Sequence, residues 1–459
     1  MNTTKKKSNK LFNRNYFLLW QGQFVSRIGS QVYLIAMIIW IKESTDSASL
    51  LGIMGFIGGL PAIVFSIIGG TFADRHSRKN IIIFSDLING ILMLVLAFLF
   101  YFKAESTSLV VIYLMFVTVI TSIIGSYFGP AISAAIPDIV HKDKLASANS
   151  WSQGSQQIVT ILGLGLGGIL YVLLGAPLLA LINGITFLFS AISELFINIP
   201  QVIPKKAKSV KEQFRTYKKD TIEGFKYIWE RAGLRNLVLT SVLTNFFSVP
   251  IALLLPFYID STLHVDESWF GYLLAISAVG SLVGYLVSGL VKLKPKLKFI
   301  LIGFFIFIDG LFYILLGLFG SLFSTIVILF LSGFVGGFII VHIQTILQIT
   351  TDTKIRGRVF GFVGTISGAL IPIGMGLAGY VADITNKNIP VIYLFSGLAI
   401  ILVSIFIIQN KSIRDFLQID DSDSNKAAEL KKIETKNLGI EEVRLNLTIM
   451  EYLKQRIKK

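Results

Sequence analysis

Few side chains in this sequence are equipped for chemistry, and most of those sit inside long apolar runs. Gln23, Arg27, Ser30 and Gln31 fall at i, i+4, i+7 and i+8, one face of a helix. Thr118, Thr121, Ser122 and Ser126 form a second polar stripe. Ser241, Thr244, Asn245 and Ser248 form a third, and His342, Thr345 and Gln348 a fourth. Polar atoms in hydrocarbon cost free energy unless they meet protein or water, so the four stripes predict a shared hydrated cavity. For Ser and Thr alone, bonding to their own helix backbone is the preferred reading. Arg27 is harder to dismiss. A guanidinium deep in a membrane helix costs ~2.5–3.5 kcal/mol and needs a partner or water. It either touches substrate or the coupling pathway, or it forms a structural ion pair.

Three acids, Asp86, Glu194 and Asp309, lie in other apolar runs. A buried carboxylate either carries a proton or pins a structure. Asp86 and Asp309 each follow a Phe by two residues (Phe84, Phe307) in corresponding runs, and that symmetry favours a structural role. Glu194 lies near the end of its run and is expected to snorkel. Asp138 reads as loop at the mouth of the fourth run. With no Cys, disulfides, thiolate metal sites and Cys nucleophiles are excluded. Four His leave little for metal chemistry. No nucleophile elbow, phosphate loop or metal cluster is evident, so neither an enzyme nor a cofactor or metal is expected.

These residues must be positioned by membrane helices. The chain has 459 residues, 53% hydrophobic and 15% charged, with a mean hydropathy of +0.71. A soluble domain carries about 25% charged residues. Apolar runs lie near 16–41, 48–72, 81–102, 109–135, 147–174 and 177–199, and again near 234–258, 268–291, 299–319, 322–346, 358–383 and 389–409. Each reaches the ~20 residues that cross a bilayer as a helix. The expectation is an all-α membrane protein of about twelve transmembrane helices. Its parts are a basic arm (1–15), a six-helix bundle (16–200), a basic linker (201–233), a second six-helix bundle (234–410) and a charged tail (411–459). The linker carries an amphipathic face of Phe214, Tyr217, Ile222, Phe225 and Ile228. The tail carries a helical stripe of Val443, Leu447, Met450, Leu453 and Ile457. No cleavable leader is evident.

The net charge of +15 does not point to nucleic acid. Of 42 Lys and Arg, all but four fall on one set of alternating segments. The exceptions are Lys42, Lys103 and Lys387 on the opposite loops, and Arg27 within the first run. This asymmetry predicts a multi-pass protein of the plasma membrane with both termini and the linker in the cytoplasm. Anionic lipid is the expected neighbour of the cations.

The two halves resemble repeats. Gly163, Gly165 and Gly168 in the fifth run match Gly374, Gly376 and Gly379 in the eleventh at one constant offset. Such Gly let helix backbones pack closely. Gly70-Thr71-Phe72-Ala73-Asp74-Arg75-His76-Ser77-Arg78-Lys79 has the spacing G-x-x-x-D-R-x-x-R-K. It resembles the signature between the second and third helices of the major facilitator superfamily, with Ser77 where a second Gly is usual. That resemblance implies two parallel bundles joined by a basic linker. It makes Gly70, Asp74, Arg75 and Arg78 a conformational latch, with Asp74 capping the helix that follows Asp352–Arg358. The corresponding segment of the second half, Gly289–Lys294, has no Asp.

In the superfamily the first, fourth, seventh and tenth helices line the central cavity, so Gln23, Arg27, Gln31, Thr121, Asn245 and His342 are the candidate cavity or coupling residues. Exporters of this type often carry an Arg in the fourth helix. Thr121 is the match here, and Arg27 is the candidate replacement. The antiporter motif of the fifth helix is incomplete, because Leu164 stands where Pro is usual. Trp20-x-Gly22-Gln23, Gly129-Pro130-Ala131 and Gly357-Arg358-Val359-Phe360-Gly361 resemble the bacterial macrolide-efflux branch. The resemblance implies a monomeric exporter of an amphipathic small molecule, macrolide-like or siderophore-like, driven by protons. A lysophospholipid flippase or nutrient carrier of the same fold, or a non-transporting membrane sensor, remains an open alternative.

Overall fold

The computed structural model describes residues 11–102, 106–201, 222, 225–291, 293–351 and 356–418. The side chains of 66–68, 70, 71, 74, 142, 146 and 356–358 lie outside the description. So do the expected tail stripe, Lys103 and most of the linker. The described helices are α1 (Arg14–Thr45), α2 (Ala48–Arg75), α3 (Arg78–Phe102), α4 (Thr107–Ile139) and α5 (Leu145–Leu195) in the first half. The second half has α6 (Ala232–Leu253), α7 (Leu255–Tyr258), α8 (Ser268–Leu290), α9 (Pro295–Leu318), α10 (Leu322–Thr350), α11 (Arg356–Ala369), α12 (Ile371–Ile384), α13 (Ile389–Gln409) and α14 (Lys411–Leu417).

Local chemistry sets the helix ends. The Asn13 side chain accepts the Tyr16 N–H at 3.1 Å and starts α1. Ser47 does the same for α2 through the Leu50 N–H at 3.1 Å. Asp46, between α1 and α2, adopts φ 46°, a left-handed conformation that Asp tolerates better than most residues.

Eleven described stretches are long and apolar enough to cross a membrane. One of them, Ser147–Leu195, has 49 residues. At 1.5 Å per residue it would reach ~74 Å if straight, more than twice the ~30 Å of a bilayer core. It breaks at Gly175, whose φ of 73° suits Gly, with Pro177 just beyond. The two arms, 145–174 and 176–195, are two crossings, so the described residues make twelve crossings, as the apolar runs predict. α11 and α12 form one crossing interrupted at Leu370, where Pro372 enters the first turn of α12.

In the first half α1 and α3 pack on α5, and α2 packs on α4. In the second half α8 packs on α10, and α9 on α13. The α8–α10 contact is backbone on backbone: a Cβ on Gly280 would lie 2.1 Å from the Phe330 carbonyl oxygen. The halves meet where α2 touches α12 and where α5 touches α8.

The matched glycines take equivalent places. A Cβ on Gly163 would strike Gln31 of α1, and one on Gly374 would strike Phe246 of α6. Gly168 abuts Ser268, the first residue of α8, and Gly379 abuts Ala48, the first residue of α2. Each repeat glycine therefore contacts its own half at the first position and the other half at the third. Gly165 and Gly376 are looser, with nearest neighbours Ala275 Cβ at 3.6 Å and Phe56 Cβ at 3.8 Å.

Beyond the crossings, the end of the linker docks on the second half. Ile228 is buried, Phe225 meets Phe362 edge-on, and the Tyr227 hydroxyl donates to the Thr350 carbonyl at 2.8 Å. Ile222 stays exposed. The first turns of the tail also pack down: Ile413, Phe416 and Leu417 of α14 are buried beside α6.

Candidate functional site

One end of the molecule carries the α2–α3 and α4–α5 turns and is called the basic face. The other carries the α1–α2 and α12–α13 turns. At this opposite face the halves are closed by polar contacts as well as glycines. Lys42 of α1 is buried and sits 2.9 Å from Asp260 and 3.5 Å from Glu267, both from the segment before α8. Asp383 of α12 reaches across to the start of α2. It accepts the Ala48 N–H at 3.1 Å, the Ser49 N–H at 2.8 Å and the Ser47 hydroxyl at 3.2 Å. A carboxylate there complements the positive end of a helix dipole. Lys387 pairs with Asp46, and the Tyr171 hydroxyl donates to Glu43. Outside the crossings, Asp266 accepts the Ser268 N–H at 2.8 Å. Bonds from the Ser268 side chain and backbone hold its carboxyl below the usual range.

Toward the basic face the surfaces part. Cβ atoms built on Gly125 and Gly129 of α4, Gly154 of α5, and Gly361 and Gly364 of α11 would meet nothing within 4 Å. A cavity of ≈ 30 Å³ opens at this end between α1, α4 and α5. Its walls include Trp20, Gln23, Phe24, Arg27, Ser155 and Gln156. Trp20 stacks on Phe24 with ring centres 5.4 Å apart and donates its indole N–H to Ser155 at 2.7 Å. Phe12, Phe17 and Trp151 extend the aromatic group and are exposed. Arg27 Nη1 donates to Gln156 Oε1 at 3.2 Å. A cation, an amide and a bank of aromatic rings make this wall suited to amphipathic molecules.

Behind that wall, inside the first bundle, three predicted residues come together. Gln23 Nε2 lies 2.8 Å from Glu194 Oε1 and 3.3 Å from Asp86 Oδ2. Ser190 completes the group, 3.5 Å from Gln23 Nε2 and 3.4 Å from Glu194 Oε1. Glu194 does not snorkel. It is 1% exposed, because its side of the last turn of α5 faces α1 and α3, while Ile192 and Leu195 of the same turn are exposed. Arg27 is close enough to attract Asp86.

The other predicted residues are dispersed. Gln31 packs on Gly163, and Ser30 turns inward to Asn183. Thr118 and Thr121 bond back to the α4 backbone at 2.8 Å each. Asn245 Nδ2 donates to the Ser367 carbonyl at 2.9 Å, across α6 and α11. His342 is buried against Ser288 at 2.9 Å and Phe338. Asp309 is met by the Ser332 hydroxyl at 2.5 Å, within the second bundle. The polar stripe of α1 is therefore divided: Gln23 and Ser30 face the bundle interior, and Arg27 faces the groove.

At the basic face Arg78 Nη1 binds Asp138 and the Ala134 carbonyl. Asp138 is thus not loop. It occupies the last turn of α4, where Arg78 neutralises it. Arg75 ends α2. The surroundings of Gly70, the side chain of Asp74, and residues 352–355 lie outside the description. The sequence reading missed Asp383, Asp260, Glu267 and Gln156. The sequence marks Lys42 and Lys387 only as isolated cations on the cation-poor side, and that isolation is the available signal.

A family model for the Major Facilitator Superfamily matches residues 19–375. The chain belongs to this superfamily. It is similar to Macrolide efflux protein A of Streptococcus pyogenes, 29% identical over 397 residues, covering 85% of this chain and 94% of the relative. It is also similar to the Multidrug efflux pump Tap of Mycolicibacterium fortuitum, 23% identical, covering 77% of this chain and 86% of the pump. Among solved structures, a bacterial homologue of the iron transporter ferroportin in an inward-facing state shares the fold. The TM-score is 0.66 at 15% identity, over 86% of this chain and 99% of that one. The chain is a multi-pass transporter of the major facilitator type.

Proposed function

We propose that this transporter exports an amphipathic small molecule, macrolide-like or siderophore-like, in exchange for protons. The observation that carries the proposal is the similarity to Macrolide efflux protein A along 85% of the chain. The geometry supports it: the halves close at the opposite face, while the aromatic wall beside Arg27 lies at the basic face. The basic face is then cytoplasmic, both termini lie inside the cell, and a monomer suffices for transport. The two bundles, 16–200 and 234–410, rock about the central cavity. Gly70, Asp74, Arg75 and Arg78 are the latch that closes the basic face in the other state, with Asp74 capping the helix after Asp352–Arg358. Arg27, Thr121, Asn245 and His342 are the proposed residues of the route.

The test is accumulation of a labelled macrolide in cells with and without the protein, with and without a protonophore. Reduced accumulation that the protonophore reverses is the expected result. Equal accumulation, with the protein confirmed in the membrane, refutes the macrolide assignment.

A further inference from the structure

We infer that Asp86 and Glu194, bridged by Gln23, form a proton-binding pair inside the first bundle. The inference deepens the antiport reading above and rests on it.

Geometry and charge carry it. Asp86 and Glu194 are each 1% exposed, and Gln23 is 6% exposed. The Gln23 amide reaches both acids, so they share one small polar compartment enclosed by α1, α3 and α5. The charged groups facing the pair are few. Arg27 comes from α1 and attracts Asp86. Lys79, near the start of α3, is held by the Leu195 carbonyl at 2.6 Å. Two carboxylates against one guanidinium leave a net negative charge in a low-dielectric interior, where an uncompensated charge is destabilising. One added proton cancels it.

The structure also indicates where that proton sits. Glu194 Oε2 is buried and has no hydrogen-bond partner among the described residues. An unpaired buried carboxylate oxygen is a costly acceptor, and it is the atom on which an O–H bond can form. A metal cation fits less well. The Gln23 amide puts a donor, not an acceptor, between the acids. No group of three His, Asp or Glu able to hold a metal occurs among the described residues.

The compartment adjoins the cavity at the basic face through Gln23. Gln23 bonds both acids and also reaches the wall of the cavity, which Arg27 lines beside Gln156. The cavity's ≈ 30 Å³ exceeds the ~10–15 Å³ that one water needs. A hydronium arriving there transfers its proton to Glu194 and leaves as water. The loaded pair pulls less on Arg27, which then belongs to Gln156 and the groove. Proton loss restores the pull toward Asp86. Proton occupancy thus sets the charge presented at the aromatic wall, a direct means of exchanging a proton for a cargo.

The experiment uses the full chain in proteoliposomes on a solid-supported membrane, and records the transient current after a pH jump with no drug present. Wild-type protein is expected to give a charge movement. Glu194→Gln and Asp86→Asn are expected to reduce it to background. Asp309→Asn, which alters a buried acid of the other bundle, is expected to keep it, and a sodium jump at constant pH is expected to give none. Full current in both Glu194→Gln and Asp86→Asn overturns the inference, as does a current from sodium in place of protons. If Glu194→Gln does not reconstitute, the contrast between Asp86→Asn and Asp309→Asn decides the same question. Because no drug is used, a wild-type current without macrolide efflux refutes only the substrate assignment. Efflux with a current insensitive to both substitutions refutes only the pair.

Discussion

Asp383→Asn tests whether the polar contacts at the opposite face set the balance between the two access states. Asp383 ties α12 to three donors at the start of α2. Asparagine keeps one acceptor oxygen and turns the other position into an amide that confronts those donors. At least one charge-assisted hydrogen bond is lost, about 1.5–3 kcal/mol. At 1.4 kcal/mol per tenfold, the equilibrium shifts about 10–100-fold toward a state open at this face. The chain has no Cys, so labels can be introduced without removing any. Ser106, before α4, and Leu318, at the end of α9, are exposed and belong to different halves. Spin labels on Ser106→Cys and Leu318→Cys report the separation of the halves by pulsed dipolar spectroscopy. Asp383→Asn is expected to add a longer-distance population. An unchanged distance distribution, in protein that is folded to the same extent, refutes the assignment of this contact as a seal.

The other expectations use the same labels or transport assays. Gly379→Ala places a Cβ 2.2 Å from the Ala48 carbonyl oxygen, so it should open the same face, whereas Gly165→Ala, with 3.6 Å of room, should not. An equal effect of the two would show that backbone approach is not what closes the seal. Lys42→Met should give a smaller opening than Asp383→Asn, of about 1 kcal/mol, because Asp260 is well exposed and its pairing is screened. A larger opening than that of Asp383→Asn would reverse this ranking. Arg27→Gln is expected to abolish protonophore-sensitive efflux, and unchanged proton-driven transport would exclude Arg27 from coupling. Asp74→Asn should slow turnover at equal membrane abundance, and wild-type transport would count against the latch.

The crossings were legible because lipid imposes long apolar runs, and the gap between the runs 147–174 and 177–199 falls at the bend at Gly175. Repeat register was legible too, since Gly163 and Gly168 have partners equivalent to those of Gly374 and Gly379. The polar interior was harder. Spacing put Gln23 and Arg27 on one stripe, but it could not say that neighbouring positions of a helix face different compartments. That division depends on where α3 and the second arm of α5 lie, which is a tertiary fact. Glu194 was misjudged for the same reason. Near a helix end the sequence cannot distinguish a side chain that reaches water from one enclosed by two neighbouring helices. Asp138 reads as loop because it lies at the mouth of the fourth run, yet it sits in the last turn of α4 and pairs with Arg78, a partner that spacing along the chain does not reveal.

The scarcity of cations on the opposite face has a structural counterpart. Lys42 and Lys387, the two described exceptions, both pair with acids of the other half. A face with few cations can use each one as a clasp, because no crowd of like charges competes for the acids. The helices beneath meet through glycine and backbone, contacts that lipid can replace when the halves separate at modest cost. The clasp then decides which state is favoured, and a few charge-assisted bonds suffice to hold or release it. If this division of labour is right, substitutions at Gly168 and Gly379 should block closure outright, while those at Lys42 and Asp383 should only shift its equilibrium. Measured with the Ser106 and Leu318 labels, the first pair should eliminate the short-distance population and the second should leave both populations present. A graded response from the glycine variants would place the closing energy in side-chain packing instead.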